Sequence, residues 1–126
     1  MIEIRTVAEP ALAKRLCREN GMTWRPEYRV IAAWEGERAL HCAVFSYHND
    51  TGEIYAIAGF DGDLSLLDGL CRAILNIMDI NGVKTAFLSD QYPEIARQVG
   101  FKKIDGRFQL SLENFFCCSC KEREKK

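Results

Sequence analysis

The stretch from residue 53 to residue 88 constrains the fold of this chain more than any other. Residues 53–60 are apolar on both faces of an extended segment, which predicts a central strand that is covered on both sides. The apolar residues of 65–81 leave only a narrow polar strip, which predicts a long helix packed against a sheet. Residues 83–88 predict a second strand. A strand, a helix and a strand in this order indicate a crossover within one sheet.

Shorter elements flank this crossover on both sides. Before it, strands are predicted at 2–6, 29–34 and 39–47, and a helix begins at Pro10 and ends at Asn20-Gly21. After it, the pattern predicts a short helix over 93–99 and a final hairpin turning at Asp105-Gly106. The order predicts an α/β (α+β) fold whose mixed, mostly antiparallel central sheet has about six or seven strands, with helices on both faces.

Composition and charge exclude several classes of protein. The chain has 126 residues, of which 48% are hydrophobic and 28% charged, so we expect one globular domain over 1–116 and a charged, Cys-containing tail at 117–126. A net charge of −1 argues against a nucleic-acid partner. No apolar run approaches the ~20 residues that span a bilayer, which argues against a membrane partner. The first residues show no signal-peptide pattern, so we expect a cytoplasmic protein.

The six cysteines form two groups. The first group lies in apolar patterns at wide and irregular spacing, which predicts buried side chains rather than disulfides; it comprises Cys17, Cys42 and Cys71. The second group contains one C-x-x-C spacing, which is half of a zinc site; it comprises Cys117, Cys118 and Cys120. A structural zinc site needs four ligands and the sequence offers no second pair, so we expect no metal. The role of the second group stays open.

The order of elements resembles the GNAT N-acetyltransferase superfamily. The segment from Ile95 to Lys102, with its Gly100-Phe101 pair, is similar to the Gly-Phe segment that follows the fifth strand in that family. The chain is a short form without a second N-terminal helix. The resemblance implies the family's acyl-CoA N-acyltransferase fold and transfer of an acetyl or other acyl group from CoA to a small-molecule or peptide amine. It also implies that acetyl-CoA lies where the fourth and fifth strands separate.

The resemblance assigns the cosubstrate to three backbone segments: the end of the fourth strand, the start of the long helix and the end of the fifth strand. The implied residues are Ala58, Gly59, Phe60, Ser65, Leu66, Leu67 and Ser89. The first segment would hold the pantetheine and thioester. The helix start suits the pyrophosphate, because free amides and the helix dipole favour an anion there.

Two residues are candidates for proton transfer in such a reaction. Many family members carry, four residues before the Gly of the Gly-Phe pair, a Tyr that protonates the leaving thiolate; here that position is Ala96. Tyr92, one helical turn earlier, is therefore the candidate acid. Glu53 is the only carboxylate on the fourth strand and is the candidate base, at the start of that strand.

Two departures from the family pattern keep a second function open. The Gly-rich pyrophosphate loop is replaced by a stretch that contains Asp61, Asp63 and Asp68, whose charges would repel a pyrophosphate. Ala96 has no proton to give. The sequence therefore supports two hypotheses: a GNAT-like N-acyltransferase, or a catalytically inactive GNAT-fold module for binding or dimerisation that has lost CoA. The acceptor, the acyl group and the choice between monomer and homodimer stay open.

Overall fold

The computed structural model describes residues 2–19, 21–59 and 64–115. The strands in this part of the chain are β1 (Ile2–Thr6), β2 (Arg29–Glu35), β3 (Arg38–His48), β4 (Thr51–Gly59), β5 (Thr85–Leu88), β6 (Lys102–Ile104) and β7 (Arg107–Ser111). The helices are α1 (Pro10–Glu19), α2 (Leu64–Ile80), α3 (Pro93–Val99) and α4 (Leu112–Phe115). Phe60, Asp61 and Asp63 lie outside the described residues, as does the tail with its three cysteines.

The strands form one seven-stranded sheet in the order β1-β2-β3-β4-β5-β7-β6. β4 and β5 pair in parallel, and the other neighbouring strands pair antiparallel. The parallel pair follows from the crossover through α2, since a helix between two strands returns the chain to the same end of the sheet. The predicted mixed, mostly antiparallel sheet is confirmed. Helix α4 was not predicted, because the apolar alternation of β7 runs without a break into Leu112.

Helix α2 is the long apolar helix that the sequence predicts. It begins at Leu64, one residue before the predicted start, and its buried side chains face the sheet. Those side chains are Leu70, Cys71, Ile74, Leu75 and Met78. The predicted stop at Asn81-Gly82 is confirmed, since Gly82 takes a φ of 84° and the N–H of Val83 donates to the carbonyl of Met78 at 2.9 Å.

The sheet has an apolar cluster on each face. On one face α2 and α3 pack against residues that include Phe45, Ile54 and Leu88. On the other face α1 packs mainly against β2, in a smaller cluster that includes Cys17 and Tyr55. The predicted arrangement of helices on both faces is confirmed. None of the helices described here is both long and apolar enough to cross a bilayer.

Cys17, Cys42 and Cys71 are free and buried, as predicted. Burial, together with the nearby charge of Asp68, raises the pKa of the Cys71 thiol to about 12 from its ordinary value of 9.0. Burial also raises the pKa of Cys17. The thiols of Cys17 and Cys71 therefore stay protonated at neutral pH and serve as small apolar groups rather than as nucleophiles.

We expect the free energy of unfolding to fall as the pH rises above about 9. Below that pH the Cys71 thiol is protonated in both states, so its contribution is complete. Between pH 9 and about 12 the thiol ionises only in the unfolded chain, at a cost in stability of up to about 1.4 kcal/mol per pH unit.

The measurement is urea unfolding of the wild-type protein and Cys71→Ala from about pH 8 to about pH 10. The raised pKa of Cys17 adds a slope of the same sign in both proteins, so the difference between them isolates Cys71. A slope that is equal in the two proteins would contradict the assignment.

Candidate active site

The strands β4 and β5 separate part-way along β4. Their parallel pairing runs from Thr51 and Thr85 to Ile54 and Leu88, where β5 ends while β4 continues to Gly59. The N–H of Ser89 then donates to the carbonyl of Ile54 at 3.1 Å. Beyond this bond the two chains diverge. We call this point the fork.

A β-bulge in β4 coincides with the fork. Phe45 of β3 faces Ile54 and Val44 faces Ala56, so Tyr55 is an extra residue on β4. A bulge bends its strand and increases the local twist. The bend therefore lies at the residue that follows the last β4–β5 pair, and it turns the remainder of β4 away from β5.

Tyr92 bridges the open part of the fork. It precedes α3, which begins at Pro93, and its backbone carbonyl accepts from the N–H of Ala96 at 3.0 Å. The N–H of Ile57, on β4, donates to the Tyr92 hydroxyl at 3.0 Å. The candidate acid thus reaches the strand from the start of α3. Ala96 is fully buried within α3, in the cluster that contains Ile54.

A cavity of about 320 Å³ lies between the start of α2 and the start of α3. Its lining is largely apolar, from Leu64, Leu67, Tyr92, Pro93 and Ile95, with Gln91 and Glu94 as the polar members. We call it the helix cavity. Because Tyr92 lines it and also accepts the hydrogen bond from β4, the helix cavity reaches the fork. Its α2 wall belongs to the first turn of that helix, where the helix dipole favours an anion.

Asp68, close to that turn, is paired through one carboxylate oxygen, while the other, Oδ1, is buried without a hydrogen-bond partner among the described residues. Asp68 is the fifth residue of α2, and its Oδ2 accepts from Nε of Arg72 at 3.0 Å. The pair is partly exposed, and Arg72 offsets much of the negative charge that the sequence places there. Of the three acidic residues expected to repel a pyrophosphate, Asp68 is therefore countered; the other two lie outside the described residues.

Glu53 lies on the opposite face of the sheet. Side chains alternate along a strand, and its neighbour Ile54 packs towards α2. Glu53 Oε1 accepts from Arg107 Nη2 at 3.0 Å. The guanidinium carbon of Arg107 lies 4.0 Å from the ring centroid of Phe87, so the cation stacks on that ring. Three adjacent elements, β4, β5 and β7, thus hold one ion pair.

Two adjoining pockets of about 260 and 250 Å³ lie on either side of this ion pair. They share Glu53, Tyr55 and Arg107, and together we call them the open groove. Tyr55 is held in place because its hydroxyl lies 2.8 Å from Ser46 Oγ and its ring packs on Tyr28 at 4.8 Å. Leu88 and Ser89 line the first pocket, which therefore lies at the fork.

The structure divides the predicted site residues between the two faces. Tyr92 and Leu67 meet in the helix cavity, whereas Glu53 and Ser89 meet in the open groove. Ser65 and Leu66 lie in the first turn of α2. Along β4, Ala58 pairs with Cys42 and Gly59 with His41, and Phe60 lies outside the described residues. The candidate acid and the candidate base are thus on opposite faces of the fork.

Sequence reasoning missed Arg107 and Tyr55. Arg107 stands in the last predicted strand with no local feature to mark it, and its partner Glu53 is 54 residues away in the chain. Its neighbour Phe108 is apolar, and consecutive side chains of a strand face opposite sides of the sheet. This places Arg107 on the face of Glu53, but only once the strand order is known. Tyr55 needed the register of β3 and β4, which the sequence does not contain.

The described residues hold no group of three His, Cys, Asp or Glu side chains placed to bind a metal ion. The aromatic residues Trp24, Tyr28 and Trp34 belong to the cluster around α1. Lys14 lies over Trp24 and Arg5 lies over Trp34, each at 5.0 Å from the ring centroid. Tyr28 alone approaches the groove, through its contact with Tyr55.

Solved structures match this architecture over most of its length. An N-acetyltransferase from Staphylococcus aureus Mu50 matches with a TM-score of 0.69 and 17% identity, over 90% of this chain and 99% of that one. The ribosomal-protein-S18-alanine N-acetyltransferase from Escherichia coli matches with a TM-score of 0.65 and 15% identity, over 86% and 89% of the two chains. A GNAT family acetyltransferase from Elizabethkingia anophelis, solved with acetyl-CoA bound, matches with a TM-score of 0.61 and 15% identity, over 82% and 78%.

This chain has the GNAT fold. The resemblance found in the order of its elements is confirmed at the level of the fold. No family model matches the sequence, and no curated protein matches it in a sequence search.

We expect Tyr92→Phe to expose the Ile57 amide to exchange. Removing the hydroxyl leaves the Ile57 N–H without its acceptor, and one such hydrogen bond contributes about 0.5–1.5 kcal/mol. Hydrogen exchange at Ile57 should therefore quicken by up to about tenfold. Tyr55→Phe is the matched control, since its hydroxyl bonds Ser46 and not the fork. Unchanged exchange at Ile57 in Tyr92→Phe would show that the bond is not formed in solution.

Proposed function

We propose that this chain is an N-acyltransferase that moves an acetyl or other acyl group from CoA to a small-molecule or peptide amine. The observation that supports this most is the fork itself, where a strand N–H and a Tyr hydroxyl meet at the end of a cavity of suitable size. The GNAT fold and the neighbour solved with acetyl-CoA bound add support.

The helix cavity is the proposed place for the acyl-CoA arm. Its apolar lining, from residues such as Leu64 and Leu67, suits a flexible chain of mixed polarity. The N–H groups of Ser65, Leu66 and Leu67 at the start of α2 are proposed to bind the pyrophosphate, since the helix dipole favours an anion there. The backbone of Ala58 and Gly59, with Phe60 beyond, is proposed to hold the pantetheine.

Tyr92 is the proposed general acid. Its oxygen accepts from Ile57, so its own proton is available for donation towards the helix cavity. In the transfer, a C–N bond forms at the acyl carbon and the C–S bond breaks. The Tyr92 proton goes to the thiolate, and the amine proton goes to Glu53 on the opposite face.

Acetyl-CoA should raise the thermal unfolding midpoint of the protein. A ligand at ~100 times its dissociation constant adds about 2.7 kcal/mol of stability, or on the order of ten degrees for a domain of this size. Leu67→Glu places a carboxylate in the helix cavity and should abolish the shift. Leu12→Glu, at a half-buried leucine of α1, should retain it. The absence of a shift in the wild-type protein would overturn the proposal.

Loss of the Tyr92 hydroxyl should slow turnover far more than it weakens binding. Removing a general acid costs about 10²- to 10⁴-fold in rate. We therefore expect Tyr92→Phe to lower kcat by that factor, with KM for acetyl-CoA changed by less than about threefold. Trp34→Phe, in the cluster around α1 and outside the helix cavity and the open groove, serves as control and should leave kcat unchanged. An unchanged kcat in Tyr92→Phe would remove Tyr92 from the chemistry.

One observation favours a second function. The hydrogen bond from Ile57 to Tyr92 fills the fork, and the buried Ala96 offers no acid in its place. A GNAT-fold module that has lost CoA and binds a partner or a second copy would retain this bond as a purely structural contact. The thermal unfolding midpoint, measured with and without acetyl-CoA, distinguishes the two functions. A module that has lost CoA should show no shift.

We further propose a cytoplasmic protein with one domain over residues 1–116, acting without a nucleic-acid or membrane partner. An amine acceptor and acetyl-CoA are then its only required ligands.

A further inference from the structure

We propose that the acceptor is an α-amino acid, bound in the open groove with its carboxylate on Arg107 and its amine towards Glu53. This inference rests on the proposed acyl transfer and names the class of amine for it. The observation that supports it is that the opposite charges of Arg107 and Glu53 lie at the fork, on the face of the sheet opposite the helix cavity.

The position of the open groove follows from the geometry of the fork. The helix cavity fills the α2 and α3 side, where Tyr92 meets β4. An amine that attacks an acyl carbon held at the fork must therefore approach from the other side of the sheet. On that side the first pocket of the groove is lined by Leu88 and Ser89, the residues at which β5 leaves β4.

Arg107 is held ready to bind a carboxylate. Its guanidinium stacks on Phe87 at 4.0 Å and donates one hydrogen bond to Glu53. A guanidinium has five N–H donors in a planar array that matches the two oxygens of a carboxylate. Half of the Arg107 side chain is exposed, at 52%, so a ligand in the groove can reach it.

The carboxylates of the groove select for a positive group beside that negative one. Glu53 and Asp90 both line the first pocket with Arg107. A ligand with a carboxylate alone would meet two like charges, and a ligand with an amine alone would leave Arg107 without a new partner. An α-amino acid carries both charges, on two groups joined to the same carbon. It would place its amine near Glu53, which accepts a proton before attack.

The size and lining of the groove fit a small acceptor. Its two pockets, of about 260 and 250 Å³, lie on either side of the ion pair. Tyr55 and Phe87 give the second pocket an apolar wall. A carboxylate on Arg107 would let the amine lie on the fork side while an apolar side chain packs on the aromatic wall.

The test measures CoA release from acetyl-CoA with leucine, methionine and phenylalanine, each against its carboxamide. The amide retains the amine and the side chain but lacks the carboxylate. We expect kcat/KM to favour the amino acid by at least about tenfold for one or more pairs. Arg107→Gln should reduce this preference to below about threefold, with Arg107→Lys between the two. Arg15→Gln, an arginine of α1 with an exposed ion pair to Glu19, is the matched control and should keep the preference.

A second measurement separates failure of this inference from failure of the proposed function. Binding of the same amino acids and amides is followed by calorimetry without acetyl-CoA. If acetyl-CoA stabilises the protein but amides react as well as acids, the amino-acid inference is wrong and the acyl transfer stands. If acetyl-CoA has no effect but amino acids bind in an Arg107-dependent manner, the transfer is wrong and the ligand class stands. Binding of neither overturns both.

Discussion

The parallel pairing between β4 and β5 ends at Ile54 and Leu88, and both candidate binding regions depend on that ending. A bulge at Tyr55 bends β4 immediately after the last pair, and β5 stops at the same level. Had the two strands continued side by side, the N–H of Ile57 would have belonged to a ladder. It instead points to Tyr92, and the bond between them keeps the fork at a defined width.

The two faces of the fork have different physical characters. The α2 and α3 face offers a largely apolar cavity beside the first turn of a long helix, where the helix dipole favours an anion. The opposite face offers an ion pair, a second carboxylate and aromatic rings, where a small zwitterion would find a partner for each charge. A transfer reaction needs two ligands that approach one point from different directions, and the fork supplies that arrangement with Tyr92 on one side and Glu53 on the other.

Hydrophobic periodicity was sufficient to predict most of this fold. The doubly apolar strand at 53–60 and the long helix after it fixed the crossover, and the alternating runs around them supplied the antiparallel strands. Helix α4 was not predicted, because a four-residue helix is too short to show a helical pattern of apolar residues and it continues an apolar strand. The burial of Cys17, Cys42 and Cys71 also followed from pattern alone, since each stands where a small apolar residue would.

The site was less accessible to prediction, for physical reasons that its residues illustrate. Tyr92 was a candidate because Ala96 stands at the expected position of the acid, but its bond to Ile57 joins residues 35 positions apart in the chain and could not be read from the sequence. Arg107 was not predicted because its role depends on contacts with Glu53 and Phe87. These contacts form only because β4, β5 and β7 are neighbours in the sheet. Sequence patterns report which face a residue occupies, whereas a site depends on which strands become neighbours.

An NMR titration of the ¹⁵N-labelled protein with CoA, followed amide by amide, tests most directly whether the fork binds an acyl carrier. We expect saturable shifts at Ile57, at the adjoining end of β4 and in the first turn of α2, with the amides of β1 and β2 unmoved. Shifts confined to other parts of the sheet, or none at millimolar CoA, would contradict this expectation, because the fork would then not be the place where this chain binds an acyl carrier.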